Sequence, residues 1–269
     1  MGFFRRSLLT FFCILLLISL IALNLFFTLS LSLKYENVQK EISPLIQRLA
    51  TDSTAFEEFG LEGFDLNKST DETMEKMRAH CLTNTDYVFS FENYTISIPC
   101  SSLSGGKMSV VNETAKSMIK EFYYKNYECD FWNCFSQEGF PFFLVSQKAK
   151  DYWNSKFYLF LVISLVLFAL CLLLSEKKSN GLILTGSLFV LSSLPLLKIE
   201  NFIISLTSES LNPIYPLLNI FFSEAKTVFW ISFIIGVVLV CAGFWVRFVG
   251  FGQNESEKKT DKKKSSKRD

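Results

Sequence analysis

The chain has 269 residues, 49% of them hydrophobic, with 29 phenylalanines and a single histidine. Its 27 basic and 26 acidic residues leave a formal net charge of +1, so no nucleic-acid partner is expected. The apolar residues are gathered into long blocks, which excludes a uniformly water-soluble chain and predicts an α-helical polytopic membrane protein.

A span needs roughly 20 apolar residues, rising about 1.5 Å each, to cover a hydrocarbon core of about 30 Å. Residues 1–7 carry Arg5 and Arg6 and lead into the first span, 8–33, "LLTFFCILLLISLIALNLFFTLSLSL". This block has no charge and one strongly polar residue, Asn24. It is far longer than the h-region of about 7 to 15 residues in a signal peptide and ends without an A-x-A site, so it is read as a retained anchor.

Residues 34–155 are predicted to form a mixed α+β, disulfide-stabilised extracytoplasmic domain inserted between helices one and two. Tyr35, Val38, Ile42, Leu45 and Leu49 recur at intervals of three or four, which carries a helix outward from span one, with a break and restart expected at Ser43–Pro44. A second short helix is expected over Met74 to Arg78. "YVFSFENYTISIP", Tyr87 to Pro99, alternates apolar and polar residues on both sides of Glu92 and Asn93, the pattern of a two-stranded hairpin. "VVNETAKSMIKEFYYKNY" reads as a helix with Val111, Ala115, Met118, Ile119 and Phe122 on one face. "FFLVSQKAKDYWNSK" leads into span two as a helix.

Spans two and three, 157–174 and 181–197, are separated by the short loop 175–180 and must form a tight helical hairpin, with a kink expected at Pro195. Residues 198–226 read as an outer amphipathic hairpin, with Ile199, Phe202, Ile203 and Leu206 on one face. Span four is 227–246, with Trp230 and Trp245 near its two ends as interfacial aromatics. The tail, 247–269, is basic and expected to be disordered. Its Lys258, Lys259, Lys262, Lys263, Lys264, Lys267 and Arg268 are candidates for contact with anionic lipid.

Arg5, Arg6, Lys177, Lys178, Arg247 and the basic tail all flank the spans on one side, which assigns both termini to the cytoplasm of a plasma-membrane protein. The segment from Lys34 to Ser155 carries 18 acidic against 12 basic residues and is therefore placed outside. Three sequons, at Asn67, Asn93 and Asn112, fall in that segment as glycosylation candidates, whereas a fourth, at Asn254, falls in the cytoplasmic tail.

Cys13, Cys171 and Cys241 lie within spans, where a thiol serves as a small apolar side chain. Cys81, Cys100, Cys129 and Cys134 lie in the outer segment, an even number in an oxidising compartment, which implies two disulfides with three possible pairings. The local pairing, Cys81 with Cys100 and Cys129 with Cys134, closes the shorter loops. A zinc site built from the four cysteines, or from three and His80, and a redox pair at Cys129 and Cys134 are the competing readings. Zinc wants paired C-x₂₋₄-C and H-x₃₋₅-H units, and the thioredoxin-type spacing is C-x-x-C. In "NYECDFWNCF" the four residues between the sulfurs fit neither pattern, and Phe131 and Trp132 become candidates for touching a partner.

The spans hold no charged residue, and the chain has no phosphate-binding glycine loop, no HExxH and no G-x-S-x-G, so no catalytic residue, cofactor or metal is expected. Lys198, Glu200, Glu209, Glu224 and Lys226 gather at the predicted outer ends of spans three and four, where interfacial solvation is the plain reading and a vestibule the sharper one. Gly186, Gly236 and Gly243 are positioned to pack against neighbouring helices, whereas a pore would need polar positions aligned along one interior stripe. Four spans, a large disulfide-bearing first outer loop and cytoplasmic termini are similar in topology to claudin-type membrane proteins. "FWNCF", with its W-x-C spacing, does not reproduce the claudin tryptophan and cysteine pattern, so no residue role carries over. The expected function is that of a noncatalytic membrane protein whose outer domain binds a protein partner or a second copy. The competing expectation is a subunit of an oligomeric channel or transporter with the outer domain as a cap.

Overall fold

A computed structural model describes residues 2–51, 74–91, 94–137, 143–199 and 215–265. Helix α1 spans Gly2–Ser32 and α2 spans Tyr35–Thr51, with the hairpin β1 Asp86–Phe91 and β2 Tyr94–Pro99 following. A 3₁₀ turn, Cys100–Gly105, then leads into α3, Gly106–Tyr124. The rest is helical: α4 Phe131–Gln137, α5 Gln147–Leu174, α6 Lys178–Leu197, α7 Tyr215–Phe222 and α8 Ala225–Ser265. The chain divides into two compact units, one of Met1–Phe27, Ser155–Ile199 and Ala225–Asp269, the other of Thr28–Asn154 and Glu200–Glu224.

Among the described residues, four helical segments are long and apolar enough to cross a membrane, Phe4–Ser32, Gln147–Leu174, Lys178–Leu197 and Leu218–Val249, and the first unit holds all or most of each, the layout of a multi-pass membrane protein. Large apolar side chains line their outward faces, among them Ile18, Val162, Leu191 and Val238. Water would not tolerate such faces; lipid does. Inside, Leu16, Leu20 and Leu23 of α1 pack with Cys171 of α5, and the rings of Phe27 and Phe157 stack at 4.8 Å. The thiols of Cys13 and Cys171 lie 3.8 Å apart in the same interior.

Helices α6 and α8 run antiparallel at backbone contact. A Cβ placed on Gly186 would meet the Gly236 carbonyl oxygen and the Val240 nitrogen at 2.8 Å. One on Gly243 would meet the Ile183 nitrogen at 2.9 Å. Only hydrogen fits at these positions, which is how small residues let helices associate where lipid provides no hydrophobic drive. Pro195 stands in the last turn of α6, and the helix ends two residues later at Leu197. The expected kink thus has almost no helix beyond it to bend.

Asn24 joins three helices of this unit. Its amide nitrogen donates to the Ser192 carbonyl and hydroxyl oxygens of α6, each at 3.3 Å, and its amide oxygen accepts from the Ser232 hydroxyl of α8 at 2.6 Å. Asn24→Ala should lower the melting midpoint of the detergent-solubilised protein by an amount equivalent to about 1 kcal/mol, the usual worth of such bonds in membranes. The cost stays small because the Ser192 hydroxyl already donates to Phe189 O at 2.8 Å and keeps that bond.

The second unit has two small cores that α3 serves in turn. At the first, Val110 packs with Ile96 and Ile98 of β2 and with Met77 of the short helix 74–80. The hairpin pairs Asp86 with Pro99 through to Phe91 with Tyr94. The predicted turn residues, Glu92 and Asn93, lie outside the described residues. Gly106 opens α3 at φ 75°, a conformation that favours glycine and redirects the chain out of the 3₁₀ turn.

At the second core, Leu33, Val38 and Ile42 meet Ile119, Tyr123, Phe131, Phe143 and Ala149. The buried stripe of α3 is Val111, Ala115, Ile119 and Tyr123, stepping by four, so Tyr123 takes the interior place that Phe122 was expected to hold. Its hydroxyl donates to Leu33 O at 2.9 Å, which satisfies the one polar atom that burial would otherwise penalise.

Burial holds the Tyr123 phenol well above its usual range, and the neighbouring Tyr124 and Asp151 push the same way. The neutral form is therefore favoured on folding. Its stabilisation is complete below the unfolded value of about 10 and is lost as pH rises beyond that through the raised folded value. Tyr123→Phe should cost about 1 kcal/mol at pH 7 by denaturant unfolding. It should also weaken the fall in stability above pH 10, leaving the part due to Tyr35, whose phenol burial also raises.

Two expectations need correction. α2 runs unbroken through Ser43–Pro44, with the Ser43 hydroxyl donating to Gln39 O at 2.7 Å. The interruption falls earlier, at Leu33–Lys34, where Lys34 N–H and the Asn37 side chain both take the Leu31 carbonyl, at 3.1 and 3.0 Å, and end α1. At the other end, α8 continues past Val246 to Ser265, through a stretch expected to be disordered. That stretch has no proline and is rich in glutamate and lysine, with Glu255 four residues before Lys259, a composition that sustains a helix.

Candidate functional site

The ten residues "NYECDFWNCF" build the most distinctive surface of the second unit. Cys129 and Cys134 are bridged, with their Cα atoms 5.3 Å apart, and the Cys134 N–H donates to Asp130 O at 2.8 Å. The bridge closes around the first turn of α4. Successive helical residues project about 100° apart, since 3.6 make a turn. Phe131 and Trp132, adjacent in sequence, are therefore sent in different directions.

Phe131 goes inward, and only 7% of it is exposed. Its ring stacks face to face on Tyr152 at 4.0 Å with planes 6° apart, and it meets the edge of Trp153 at 5.3 Å and the ring of Phe143 at 5.4 Å. Tyr127 closes the cluster against Phe143 at 5.2 Å, and the Lys148 ammonium donates to the Tyr127 carbonyl. Such offset and edge contacts each add about 0.5 to 1.5 kcal/mol beyond the burial of area.

Trp132 goes outward. It is 64% exposed and leans edge-on against Phe131 at 5.4 Å and Tyr152 at 6.3 Å. Glu128, Asp130 and Asn133 are exposed on the same loop. The result is a large amphipathic ring on a rigid aromatic base, rimmed by carboxylates. Of the two predicted contact residues, then, only Trp132 is exposed; Phe131 is its foundation. Tyr152 and Trp153 are the residues that sequence reading did not connect to this site.

The other bridge, Cys81 to Cys100, has its Cα atoms 5.6 Å apart and joins the end of the 74–80 helix to the start of the 3₁₀ turn, across the hairpin. With all four sulfurs in disulfides, none is left as a thiolate to hold zinc, and the zinc reading loses its ligands; against the redox reading of Cys129 and Cys134 stands their four-residue spacer, which is not C-x-x-C. His80 is exposed and stands edge-on to Tyr87 at 5.6 Å.

The remaining predicted positions are scattered. Asn112 lies half-exposed on α3, while Asn67 and Asn93 lie outside the described residues. Glu200 and Glu209, of the expected charged cluster at 198–226, lie outside them as well. Lys258, Lys259, Lys262, Lys263 and Lys264 are carried on α8, and Lys267 and Arg268 fall beyond the described residues.

Fold and site together define a multi-pass membrane protein with a disulfide-bridged, tryptophan-bearing segment between its first two spans. No protein-family model matches the chain, and comparison with curated proteins and with solved structures returned no match.

Proposed function

We propose that this chain is a noncatalytic plasma-membrane protein that binds a protein partner, or a second copy of itself, through Trp132. In this reading residues 34–155 form a mixed α+β extracytoplasmic domain, both termini are cytoplasmic, and no cofactor is needed. The observation that carries it is the indole of Trp132, 64% exposed on a loop closed by the Cys129–Cys134 bridge. A tryptophan held rigid before binding loses little conformational entropy on contact, and the residues that dominate protein interfaces are drawn from this type. The exposed Glu128 and Asp130 favour a partner surface with an apolar pocket and a basic rim.

The topology rests on the basic flanks of the spans and the acidic excess of 34–155. If Asn67, Asn93 or Asn112 carries a glycan in the native host, endoglycosidase treatment will increase the electrophoretic mobility of the wild type but not of a variant lacking all three. The channel reading has less support. Asn24, Ser192 and Ser232 spend their hydrogen bonds on one another, Ser19 bonds Ser164 at 2.8 Å, and the glycines pack α6 against α8 as a scaffold requires.

The direct test is photo-crosslinking from a probe at position 132 in the native membrane. A discrete crosslinked species supports the reading, and its absence there, with an equivalent probe at exposed Leu82 as the control, overturns it. Flux of ions or small solutes through vesicles carrying the pure protein would favour the channel instead.

A further inference from the structure

The membrane unit carries a second candidate site at the end where α1 begins. A cleft of about 240 Å³ opens between the start of α1 and the turn joining α5 to α6. Its polar wall holds Arg5, Arg6, Lys177 and Asn180, with Leu9 and Leu184 as the apolar wall and Glu176 as its one carboxylate. Three cations against one anion leave it strongly positive.

Arg5 is fixed: its Nε donates to Leu174 O at 2.8 Å and its Nη2 reaches Leu173 O and Ser175 O at 3.5 and 3.4 Å. These are carbonyls at the C-terminal end of α5, which a cation satisfies and the helix dipole favours. Arg6 and Lys177, by contrast, form no ion pair among the described residues. A groove continues from Arg6 along α1, lined by Ser7, Thr10, Phe11 and Ile14. Positive cleft and largely apolar groove thus share one arginine.

Phospholipids have this order of chemistries: an anionic head, then an acyl chain. The cleft is smaller than the roughly 300–1,000 Å³ pockets that enclose a drug-sized molecule, so it suits a head group with its chains left outside. We propose that it binds the head group of an anionic phospholipid, with the phosphate between Arg6 and Lys177 and one acyl chain along Phe11 and Ile14. The assignment is distinct from any lipid contact of the basic tail. It rests on the cytoplasmic placement of this end, because the anionic lipids face the cytoplasm.

The test uses the full chain in neutral maltoside detergent, with bound lipid counted by native mass spectrometry. Short-chain phosphatidylserine should bind in preference to phosphatidylcholine. In Arg6→Gln/Lys177→Gln its affinity should fall about 25-fold, roughly fivefold per cation removed. Both residues are exposed and make no side-chain bond among the described residues, so the variant is expected to fold; Arg5 is left untouched because it caps α5. Arg6→Lys/Lys177→Arg should keep the preference.

The proposal is overturned by equal retention of the two lipids, or by an unchanged preference in Arg6→Gln/Lys177→Gln. Loss of preference in a variant with Lys258, Lys259, Lys262, Lys263 and Lys264 neutralised instead would move the binding to the tail. Inorganic phosphate that displaces the lipid at equal concentration would reassign the cleft to a soluble anion. Binding in detergent does not depend on topology, so failure here is separable from failure of the cytoplasmic placement, which the glycosidase assay reads.

Discussion

Gly236→Ala destabilises this protein, although the same change in an ordinary helix interior stabilises by roughly 0.5 to 1 kcal/mol. The sign inverts because the added Cβ would lie 2.7 Å from Val190 Cγ2 and 2.9 Å from the Gly186 oxygen and the Val190 nitrogen. Two of those three atoms are backbone and cannot rotate away, so α6 and α8 must separate. Separation forfeits the contacts of the whole antiparallel seam, including those at Gly186 and Gly243. Gly236→Leu should therefore cost on the order of 3 kcal/mol or more, the upper range for overpacking. Val238→Leu, on an exposed face of the same helix, should change nothing measurable. Thermal unfolding of the three variants in one detergent checks the series. A Gly236→Ala variant melting at or above the wild type would show that the helices do not meet at this seam.

The parts of this fold that sequence disclosed are those whose physics is local or set by a single length. A hydrocarbon core demands about 20 apolar residues wherever they occur, so the spans stand out from hydropathy alone. The pairing of Cys129 with Cys134 and of Cys81 with Cys100 follows from nearness along the chain, and the hairpin from alternation around Glu92 and Asn93. Most of what stayed hidden depends on partners distant in sequence, and the rest on one local signal outweighing another. Phe122 and Tyr123 both fit an apolar face of α3; the choice is made by Leu33, whose carbonyl lies 90 residues away and offers the phenol its acceptor. The end of α1 was missed because Pro44 is a louder local signal than Asn37, yet Asn37 takes the Leu31 carbonyl and turns the chain. The site was half legible. The closed loop could be read from its cysteines, but the inward turn of Phe131 is decided by Tyr152, on a helix 21 residues further on.

Phe131→Ala and Trp132→Ala, neighbours within one disulfide loop, should have opposite consequences. Phe131 fills the space among Tyr152, Trp153 and Phe143, and its loss should cost about 3 to 5 kcal/mol of stability, as emptying a buried aromatic site does. Trp132 covers little within its own unit, so Trp132→Ala should stay within about 0.5 kcal/mol of the wild type. If it is the anchor for a partner, the same change should weaken binding by about 2 kcal/mol or more, close to thirtyfold. Opening the loop with Cys129→Ser/Cys134→Ser falls between them. A closed loop this short returns about 2 kcal/mol of unfolded-state entropy, while the ring loses the fixed base that spares it conformational cost on binding. Denaturant unfolding and partner capture, measured on the same three variants, separate the roles. If Trp132→Ala lost stability as Phe131→Ala does, the indole would belong to the core. If it kept both stability and partner, the contact surface would lie elsewhere on the chain.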